Sequence, residues 1–423
     1  MTQAGQLDLL IRHVQNLPYD VAAREVHGHF YDLPPATARA LAKERYEQVG
    51  PLDGAPPELR YVANRRILVD ARRTLQAKVA AGRATRAQDT RFRTLDAMLE
   101  PVSTTEDVDG RLVKVVHDRR FLYVDPVGQG RMVELLGEDL GKAKNVATLV
   151  PGLNNTLEKT AAQVDRGYDL LNEAGPGTAV VVWKGYDAPL TLEEAMSTEC
   201  ARAAVPLVSR FDAGLAVVMA PEAERTLIGN SYGSQVVGLA LLAGMDPESP
   251  DGVHPDRPVL IGCPGVEPSV HSAAQLVPPG KVLYVARTPW DYVSYGEQFG
   301  PDPATFPDAF RFETRGAVPV RGHMKYFRKN SESLRNLGRI ISGNLDAVTR
   351  AAQTTPEQES KLLPGVSWAE SMRRLPRSEA AAPLAKVFDG VAAARKLSVP
   401  AKHKPTDGAR NRRSPQRPEG PAR

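Results

Sequence analysis

The pentapeptide GNSYG at residues 229–233 constrains this chain more than any other segment, because it fits the pattern G-x-S-x-G. A short apolar run precedes it, and a helical run of small residues follows it. Ser231 on a tight strand-to-helix turn would have a strained backbone, and Gly229 and Gly233 remove side chains that would collide there. The new helix would direct free N–H groups, beginning with that of Tyr232, toward a developing oxyanion. The segment therefore predicts a nucleophile elbow, and the alternative is a plain glycine-rich turn.

Composition limits the classes to which the chain can belong. Its 423 residues suffice for one large α/β domain with additions or for two domains, and 42% hydrophobic residues permit a substantial core. A net charge of +4 is small for this length, so charge alone indicates no specific nucleic-acid partner. No apolar run of about 18 residues and no signal-peptide pattern occur in the sequence. We expect a cytoplasmic protein without a transmembrane segment, with non-classical export or a phage-associated location as alternatives.

The sequence contains no motif for a metal or a cofactor. Cys200 and Cys263 lie far apart without metal-ligand spacing and are predicted to be buried thiols. His27 and His29 form an H-x-H pair without a third ligand in reach, which predicts a surface turn. A P-loop, a dinucleotide-binding glycine fingerprint and a calcium loop are all absent from the sequence. We therefore expect no cofactor and no metal.

Hydrophobic periodicity divides the chain into four parts. Residues 1–105 are predicted to be a helical extension packed on the body, 106–345 a catalytic α/β domain, 346–399 a second helical extension, and 400–423 a disordered basic tail. Alternating strands and helices from residue 145 onward predict a doubly wound, mostly parallel sheet. The predicted strands are 146–150, 178–183, 226–228, 259–261, 282–286 and 309–313, and the predicted helices are 156–173, 192–220 with a break at Pro206, 234–243, 324–341 and 384–397.

A serine nucleophile needs a base, and the order of residues limits which histidine can serve. In a doubly wound hydrolase the order along the chain is Ser, then Asp or Glu, then His. After Ser231 the sequence contains His254 in a proline-rich loop, His271 directly after a strand, His323, and His403 in the tail. His254 and His403 fit poorly at these places, and His271 comes too early to leave an acid between. His323 follows the last predicted strand and a loop, and it is predicted to open the helix 324–341. We interpret His323 as the base; the alternative is a histidine that merely caps that helix.

The acid that orients the base should lie at the end of the penultimate strand. Asp291 follows the predicted strand 282–286 at its carboxyl end. A buried, ionised aspartate at that place would fix the imidazole tautomer and stabilise the imidazolium. Asp302, Asp308 and the weaker candidate Glu297 lie further into the same loop and remain alternatives. Asp291 could also merely cap a short turn.

The predicted oxyanion hole needs a second main-chain N–H beside that of Tyr232. The loop after the first parallel strand contains Gly152, which lets the backbone approach the substrate, and Leu153, whose N–H would be the second donor. The alternative is a simple strand-to-helix turn with Asn155 or Thr156 as the N-cap. Both interpretations can hold together, because the donors are main-chain groups.

Several motifs together resemble the actinobacterial α/β-hydrolase family catalogued as DUF1023, over about residues 45–345. The motifs are PLDGAPPELRYVANR (51–65), VATLVPGLNNT (146–156), VVWKGYDAP (181–189), TLIGNSYGS (226–234), IGCPGV (261–266), QFGPDPA (298–304) and GHMKYFRKNSESLRNLGRIISGN (322–344). The resemblance implies an α/β-hydrolase fold and supports Ser231, Asp291 and His323 as a Ser-Asp-His triad. The elbow of the family usually reads G-H-S-Y-G, and here Asn230 replaces the histidine. The resemblance implies no particular substrate.

These patterns predict a serine hydrolase that cleaves a carboxylic ester through an acyl-serine intermediate. Its expected partner is a small-molecule ester or acyl substrate, with protein partners unknown. The alternative is a non-catalytic scaffold or binding component that retains the hydrolase fold. One further motif, WKGYDAP at residues 183–189, predicts either a segment that covers the site or core packing of Trp183 and Tyr186.

Overall fold

The computed structural model of the chain describes residues 2–108, 111–249 and 252–352. The predicted helix 384–397, the predicted tail 400–423 and most of the predicted second extension lie outside these residues. The described strands are β1 (Val102–Val108), β2 (Arg111–His117), β3 (Arg120–Asp125), β4 (Arg131–Gly137), β5 (Asn145–Val150), β6 (Thr178–Lys184), β7 (Glu224–Asn230), β8 (Arg257–Ile261), β9 (Tyr284–Ala286) and β10 (Phe310–Arg311). The described helices are α1 (Gln3–Val14), α2 (Tyr19–Tyr31), α3 (Pro35–Glu44), α4 (Tyr46–Val49), α5 (Pro57–Ala80), α6 (Arg86–Leu99), α7 (Ala161–Ala174), α8 (Glu199–Val218), α9 (Tyr232–Gly244), α10 (Tyr292–Gly296) and α11 (Glu332–Ile341).

An eight-stranded sheet with the order β10-β9-β8-β7-β5-β6-β4-β3 organises the described residues, and β1 and β2 form a separate antiparallel pair. The six neighbouring strands β10, β9, β8, β7, β5 and β6 run parallel. Strand β4 pairs antiparallel with both β6 and β3. Parallel strands with helices on both faces are buried on both sides, and β6 accordingly has every residue buried. The predicted doubly wound, mostly parallel sheet is therefore confirmed.

The position of the functional site follows from the neighbouring strands β5 and β7. They pair in parallel, with Val150 opposite Gly229. Carboxyl ends of adjacent parallel strands meet at one edge of the sheet, which is where ligands bind in such folds. The loop after β5 and the turn after β7 therefore lie side by side.

Apolar side chains fill both faces of the sheet. One cluster joins the sheet to α8 and α9, with Trp183, Phe211 and Val236 among its members. The other joins it to α7 and α11 and includes Leu170 and Leu337. Burial at about 25 cal/mol per Å² of apolar surface makes these two layers the main stabilising contribution to the fold.

The N-terminal helices contact the sheet domain directly. Helix α5 packs against β3, and α2 packs against α8. The carboxylate of Asp53, between α4 and α5, forms ion pairs with the guanidinium groups of Arg60 and of Arg210 in α8, each at 3.0 Å. Helices α1 to α5 also enclose a small apolar cluster of their own, which includes Leu7 and Phe30. The division of the chain into an extension and a catalytic domain near residue 105 stays a prediction.

Three helix predictions have a wrong start, and the first of them is α7, which begins at Ala161 and not at residue 156. The helix predicted over 192–220 with a break is a continuous α8 that begins at Glu199 and runs through Pro206. Proline removes one hydrogen bond to the carbonyl four residues earlier, that of Arg202, and because Arg202 is exposed, water can satisfy this carbonyl. The helix predicted over 324–341 begins only at Glu332, after Ser331 caps it by accepting a hydrogen bond from the Leu334 N–H. His323 therefore lies in a loop and does not open the last helix.

Candidate active site

Ser231 stands on a strained turn between β7 and α9. Its backbone angles are φ 61° and ψ −129°, outside the regions that residues with a side chain normally occupy. Its N–H donates to the carbonyl of Ile261 at 3.0 Å, which ties the turn to the neighbouring strand β8. This conformation is the one expected for an exposed side chain on a nucleophile elbow.

The flanking glycines are required by close packing around the turn. A Cβ atom at Gly229 would lie 2.5 Å from the Cα of Ser234 in the first turn of α9. A Cβ atom at Gly233 would collide with the carbonyl oxygen of Val150 at the end of β5. The second collision involves a neighbouring strand and not only the local turn, so the sequence motif reflects tertiary packing as well as local strain.

The side chains of Ser231, His323 and Asp291 are brought into one hydrogen-bonded row. The Nε2 atom of His323 lies 2.6 Å from the Ser231 Oγ atom, and its Nδ1 atom lies 2.8 Å from the Asp291 Oδ1 atom. If the proton is on Nδ1, that nitrogen donates to the carboxylate and Nε2 accepts from the serine hydroxyl. These distances are within the range of ordinary hydrogen bonds.

Asp291 is fully buried and surrounded by donors. Its carboxylate accepts hydrogen bonds from the Val293 N–H at 3.1 Å, the Ser294 N–H at 3.3 Å, the Ser294 hydroxyl at 3.1 Å, His323 and the Tyr326 hydroxyl. Burial by itself favours the neutral acid, but His323, Tyr326 and the main-chain donors outweigh it and hold the pKa of Asp291 below its ordinary value. The group is therefore an anion placed to balance a positive imidazole. It also caps the short helix α10, as the alternative interpretation predicts. Its role as the catalytic acid stays a prediction.

The rival acids are placed elsewhere. Asp302 is buried and pairs with Arg287 at 3.1 Å, and burial raises the pKa of Asp302 to about 6 against the opposing charge of Arg287. Asp308 accepts two main-chain N–H groups of a neighbouring turn. Glu297 accepts from the main chain of Asp302. Among these carboxylates only Asp291 contacts the His323 ring.

Tyr326 is a member of the site that sequence reasoning missed. Its hydroxyl donates to Asp291 and accepts from the Thr288 N–H at 3.1 Å, while its ring stands edge-on to His323 with centroids 6.5 Å apart. Burial and the adjacent Asp291 carboxylate raise the pKa of Tyr326 well above its ordinary value, so the phenol stays a donor. The only available signal was its place three residues after His323 within the GHMKYF motif, because its contact with Asp291 is long-range.

Gly262, directly after β8, provides the space in which the acid and base meet. A Cβ atom there would lie 3.0 Å from His323 Cε1, 3.0 Å from Tyr326 Cε2 and 3.2 Å from Asp291 Oδ2. Its φ of 61° is also unfavourable for residues with a side chain. In the sequence this glycine appears only as part of the IGCPGV motif and has no assigned role, since only the packing reveals what it faces.

We expect Gly262→Ala to lower kcat by about 10- to 100-fold, because displacing a reacting group by a fraction of an ångström is costly. The added methyl group pushes His323 away from Asp291. Gly82→Ala is the matched control, since Gly82 has a φ of 64° and open space around it. Steady-state hydrolysis of a p-nitrophenyl ester measures both variants. Equal activity of the two would contradict the packing argument.

The loop after β5 lies directly against the elbow. A Cβ atom at Gly152 would lie 2.8 Å from the Tyr232 nitrogen and 2.9 Å from the Ser231 Cβ atom. Tyr232 is the first residue of α9, so its N–H has no acceptor within the helix. The Leu153 N–H likewise has no acceptor in the described part of the chain. The two predicted oxyanion donors therefore belong to neighbouring stretches of main chain.

Neither Asn155 nor Thr156 caps helix α7, but Thr156 stands at the N-cap of the short 3-10 helix Leu157–Lys159 without a capping hydrogen bond from its side chain. Helix α7 begins at Ala161, five residues later than expected. The Asn155 side chain instead turns back and donates to the carbonyls of Gly152 at 2.6 Å and Leu153 at 3.1 Å.

Residues 186–198, here called the covering segment, cross the carboxyl edge of the sheet beside the elbow. The Asn154 N–H donates to the Pro189 carbonyl at 2.8 Å, and the Tyr232 hydroxyl donates to the Ser197 carbonyl at 2.6 Å. The covering segment is thus fixed to both the loop after β5 and the helix after Ser231.

Core packing accounts for the aromatic residues at the start of this motif. Trp183 and Tyr186 are both buried and stack with ring centroids 5.9 Å apart. The Tyr186 hydroxyl also donates to the Pro151 carbonyl at 2.7 Å. Core packing is therefore confirmed for these two residues, and a covering role for the rest of the motif stays a prediction.

The two cysteines and the histidine pair near the N-terminus lie outside the hydrogen-bonded row of Ser231, His323 and Asp291. Cys263 is buried, and burial raises the pKa of its thiol well above the ordinary value, whereas Cys200 is only half-buried. His27 and His29 lie within α2, so the predicted surface turn is wrong. Residues 2–108, 111–249 and 252–352 hold no group of three or more His, Cys, Asp or Glu placed to bind a metal ion. None of the described helices is both long and apolar enough to cross a membrane.

Comparison with known proteins finds a matching family model and related proteins. A family model described as alpha/beta hydrolase matches residues 125–301. The uncharacterized protein Rv2079 of Mycobacterium tuberculosis is 29% identical over 402 residues, which cover 79% of this chain and 58% of that protein. The uncharacterized protein Rv0963c of the same organism is 31% identical over 160 residues, which cover 35% of this chain and 57% of that protein. The chain thus spans less than two thirds of the length of these relatives.

Among solved structures, the esterase LipW from Mycobacterium marinum aligns with 12% identity and a TM-score of 0.33, covering 74% of this chain and 91% of that one. The alpha/beta-hydrolase family model matches residues 125–301 of this chain, and the doubly wound sheet agrees with that match. The α/β-hydrolase fold class predicted from the sequence is confirmed.

Proposed function

We propose that this chain is a serine hydrolase that cleaves carboxylic esters through an acyl-Ser231 intermediate. The observation that carries the proposal is the position of His323, whose two ring nitrogens lie 2.6 Å from the Ser231 Oγ atom and 2.8 Å from the Asp291 Oδ1 atom. A hydroxyl becomes an effective nucleophile when a base accepts its proton, and the base works when a third group fixes its tautomer.

In the proposed reaction, His323 Nε2 accepts the Ser231 proton as Oγ attacks the ester carbonyl carbon. The carbonyl oxygen becomes an oxyanion and receives hydrogen bonds from the N–H groups of Leu153 and Tyr232. The imidazolium, balanced by Asp291, returns its proton to the departing alkoxide, which leaves as an alcohol. Water, deprotonated by the same imidazole, then attacks the acyl-serine, so the acid is released and the serine hydroxyl is restored.

A fluorophosphonate probe tests the proposal, because it reacts covalently with activated serines. We expect one probe per folded chain and no labelling of Ser231→Ala. Ser342→Ala is the control and should label normally, since Ser342 follows α11 at the opposite edge of the sheet, beside the start of β8. Absence of labelling in the folded protein, or labelling that survives in Ser231→Ala, would overturn the proposal and favour a non-catalytic scaffold or binding component.

A further inference from the structure

A row of polar side chains leads from helix α7 to the loop after β5. The Arg166 Nη1 atom donates to the Gln163 Oε1 atom at 3.1 Å, and the Gln163 Nε2 atom donates to the Asn155 Oδ1 atom at 2.7 Å. The Asn155 Nδ2 atom then donates to the main-chain carbonyls of Gly152 at 2.6 Å and Leu153 at 3.1 Å. Gln163 is 7% exposed and Asn155 5% exposed, so water hardly competes for these bonds.

The direction of this row is fixed at both of its ends. An arginine can only donate, and a main-chain carbonyl can only accept. The amide oxygen of Gln163 must therefore face Arg166, and its amide nitrogen must face Asn155. The same reasoning orients Asn155, whose nitrogen faces the carbonyl of Gly152. Each amide accepts on the side of Arg166 and donates on the side of the loop.

The last bond of the row fixes the orientation of the peptide between Gly152 and Leu153. A trans peptide is planar, and its C=O and N–H point in opposite directions. Because Asn155 holds the Gly152 carbonyl, the Leu153 N–H must point away from Asn155. This peptide adjoins the elbow, where a Cβ atom at Gly152 would lie 2.8 Å from the Tyr232 nitrogen.

The first residue of this row, Arg166, carries a positive charge. In the described part of the chain no carboxylate pairs with Arg166, whose guanidinium lies over the Phe327 ring at 5.2 Å and contacts the Asn230 Oδ1 atom at 3.5 Å. A cation that donates to the first of several aligned amides makes each following N–H a stronger donor, by about 10–30% per bond. The final N–H of this series is that of Leu153.

We propose that Arg166, Gln163 and Asn155 are positioning residues that orient and polarise the Leu153 N–H as an oxyanion donor. The inference rests on the proposed function, since it assigns the residues that set up one of its two donors. It also accounts for the neutral Asn230 beside Ser231, because the amide oxygen of Asn230 accepts from the Arg166 guanidinium.

Gln163→Glu tests the row with almost no change of shape. The carboxylate keeps the contact with Arg166, but it has no hydrogen to donate to Asn155, so the row is broken in the middle. Kinetics are measured with p-nitrophenyl acetate, and kcat is expressed per active site titrated with the fluorophosphonate probe. We expect kcat per site to fall by about 10- to 100-fold, with KM nearly unchanged, because an oxyanion donor acts mainly in the transition state.

Asn64→Asp is the matched control for a loss of stability. Asn64 is also buried, and its amide donates to the main-chain carbonyls of Gly50 at 3.1 Å and Phe121 at 3.0 Å, away from the elbow. We expect both variants to lower Tm and only Gln163→Glu to lower kcat per titrated site. Equal loss of kcat per site in the two variants, or no loss in Gln163→Glu, would overturn the proposal.

A second measurement needs no turnover. In protein labelled with ¹⁵N-leucine, the Leu153 amide resonance is assigned by its disappearance in Leu153→Met. We expect its proton shift to move upfield in Gln163→Glu and to stay in place in Asn64→Asp. An unmoved resonance would overturn the polarised row. A moved resonance in a protein that neither labels with the probe nor hydrolyses the ester would overturn the proposed function and leave the row intact.

Discussion

Replacing His323 with alanine is expected to lower kcat for ester hydrolysis by about four orders of magnitude, because no other base within residues 2–108, 111–249 and 252–352 contacts the Ser231 hydroxyl. The imidazole lies 2.6 Å from Oγ, and its removal leaves the serine with an ordinary, unreactive hydroxyl. His271→Ala is the control, since His271 is exposed and lies outside the hydrogen-bonded row. Steady-state kinetics with p-nitrophenyl acetate measure both. A His323→Ala enzyme within tenfold of the parent would contradict the assignment of the base.

The pH dependence of the parent enzyme belongs to the same prediction. The pKa of Asp291 is held below its ordinary value, so this carboxylate stays ionised as the solution is acidified from neutrality. A depressed folded-state pKa contributes stability above the unfolded value and loses it only as the pH falls through the folded value. We therefore expect mild acidification to cause neither protonation of Asp291 nor unfolding through loss of its charge. Protonation of Asp291 over that range, seen as a shift of its carboxyl carbon resonance, would contradict this.

Asp291→Asn is expected to lower kcat by a similar factor, about 10⁴, with the fold retained. The amide presents a different pattern of donors and acceptors to His323 Nδ1, so the ring no longer holds its tautomer and the imidazolium loses its counter-charge. The buried shape of the side chain changes little. Activity per titrated site and the thermal unfolding midpoint are measured together.

Asp302→Asn is the matched control for this change, because Asp302 is equally buried and lies in the same loop. Its replacement removes the carboxylate that pairs with Arg287 at 3.1 Å above a pH of about 6, the pKa of Asp302, and breaking such a buried pair costs about 3–5 kcal/mol of stability. We expect a lower Tm with kcat per site nearly unchanged. The reverse pattern, with activity lost in Asp302→Asn and kept in Asp291→Asn, would assign the role of the acid to Asp302 instead of Asp291.

What could be predicted from the sequence was mostly local. The turn around Ser231 combines an apolar strand, two glycines and a helix of small residues within about fifteen positions, so periodicity and steric rules suffice to recognise it. The order of serine, acid and histidine along the chain then favoured His323 as the base and Asp291 as the acid, with Asp302, Asp308 and Glu297 left as alternatives. The contacts of His323 with Ser231 and with Asp291 are now structural observations, while the catalytic roles remain the proposal above.

What could not be predicted depends on contacts between distant segments. Tyr326 meets Asp291 only because the loop after β10 folds back over the end of β9, and Gly262 is required only because that meeting occurs beside it. The row from Arg166 to Gly152 likewise joins α7 to a loop whose residues resemble an ordinary helix cap in sequence. The predicted helix began too early because Tyr326 and Phe327 are apolar and buried, as residues on a helix face would be. In the structure they are buried within this loop, before α11 begins.

Trapping the acyl-enzyme is the most direct test of the central claim that Ser231 is a nucleophile. The parent protein and Ser231→Ala are mixed with p-nitrophenyl acetate, quenched in acid within the first turnover, digested and analysed by mass spectrometry. The account predicts one acetyl group on the parent, located on Ser231 within the peptide that contains GNSYG, and none there in the variant. Sustained release of p-nitrophenol by the parent with no acetyl group on Ser231, or with the group on another residue, would contradict it.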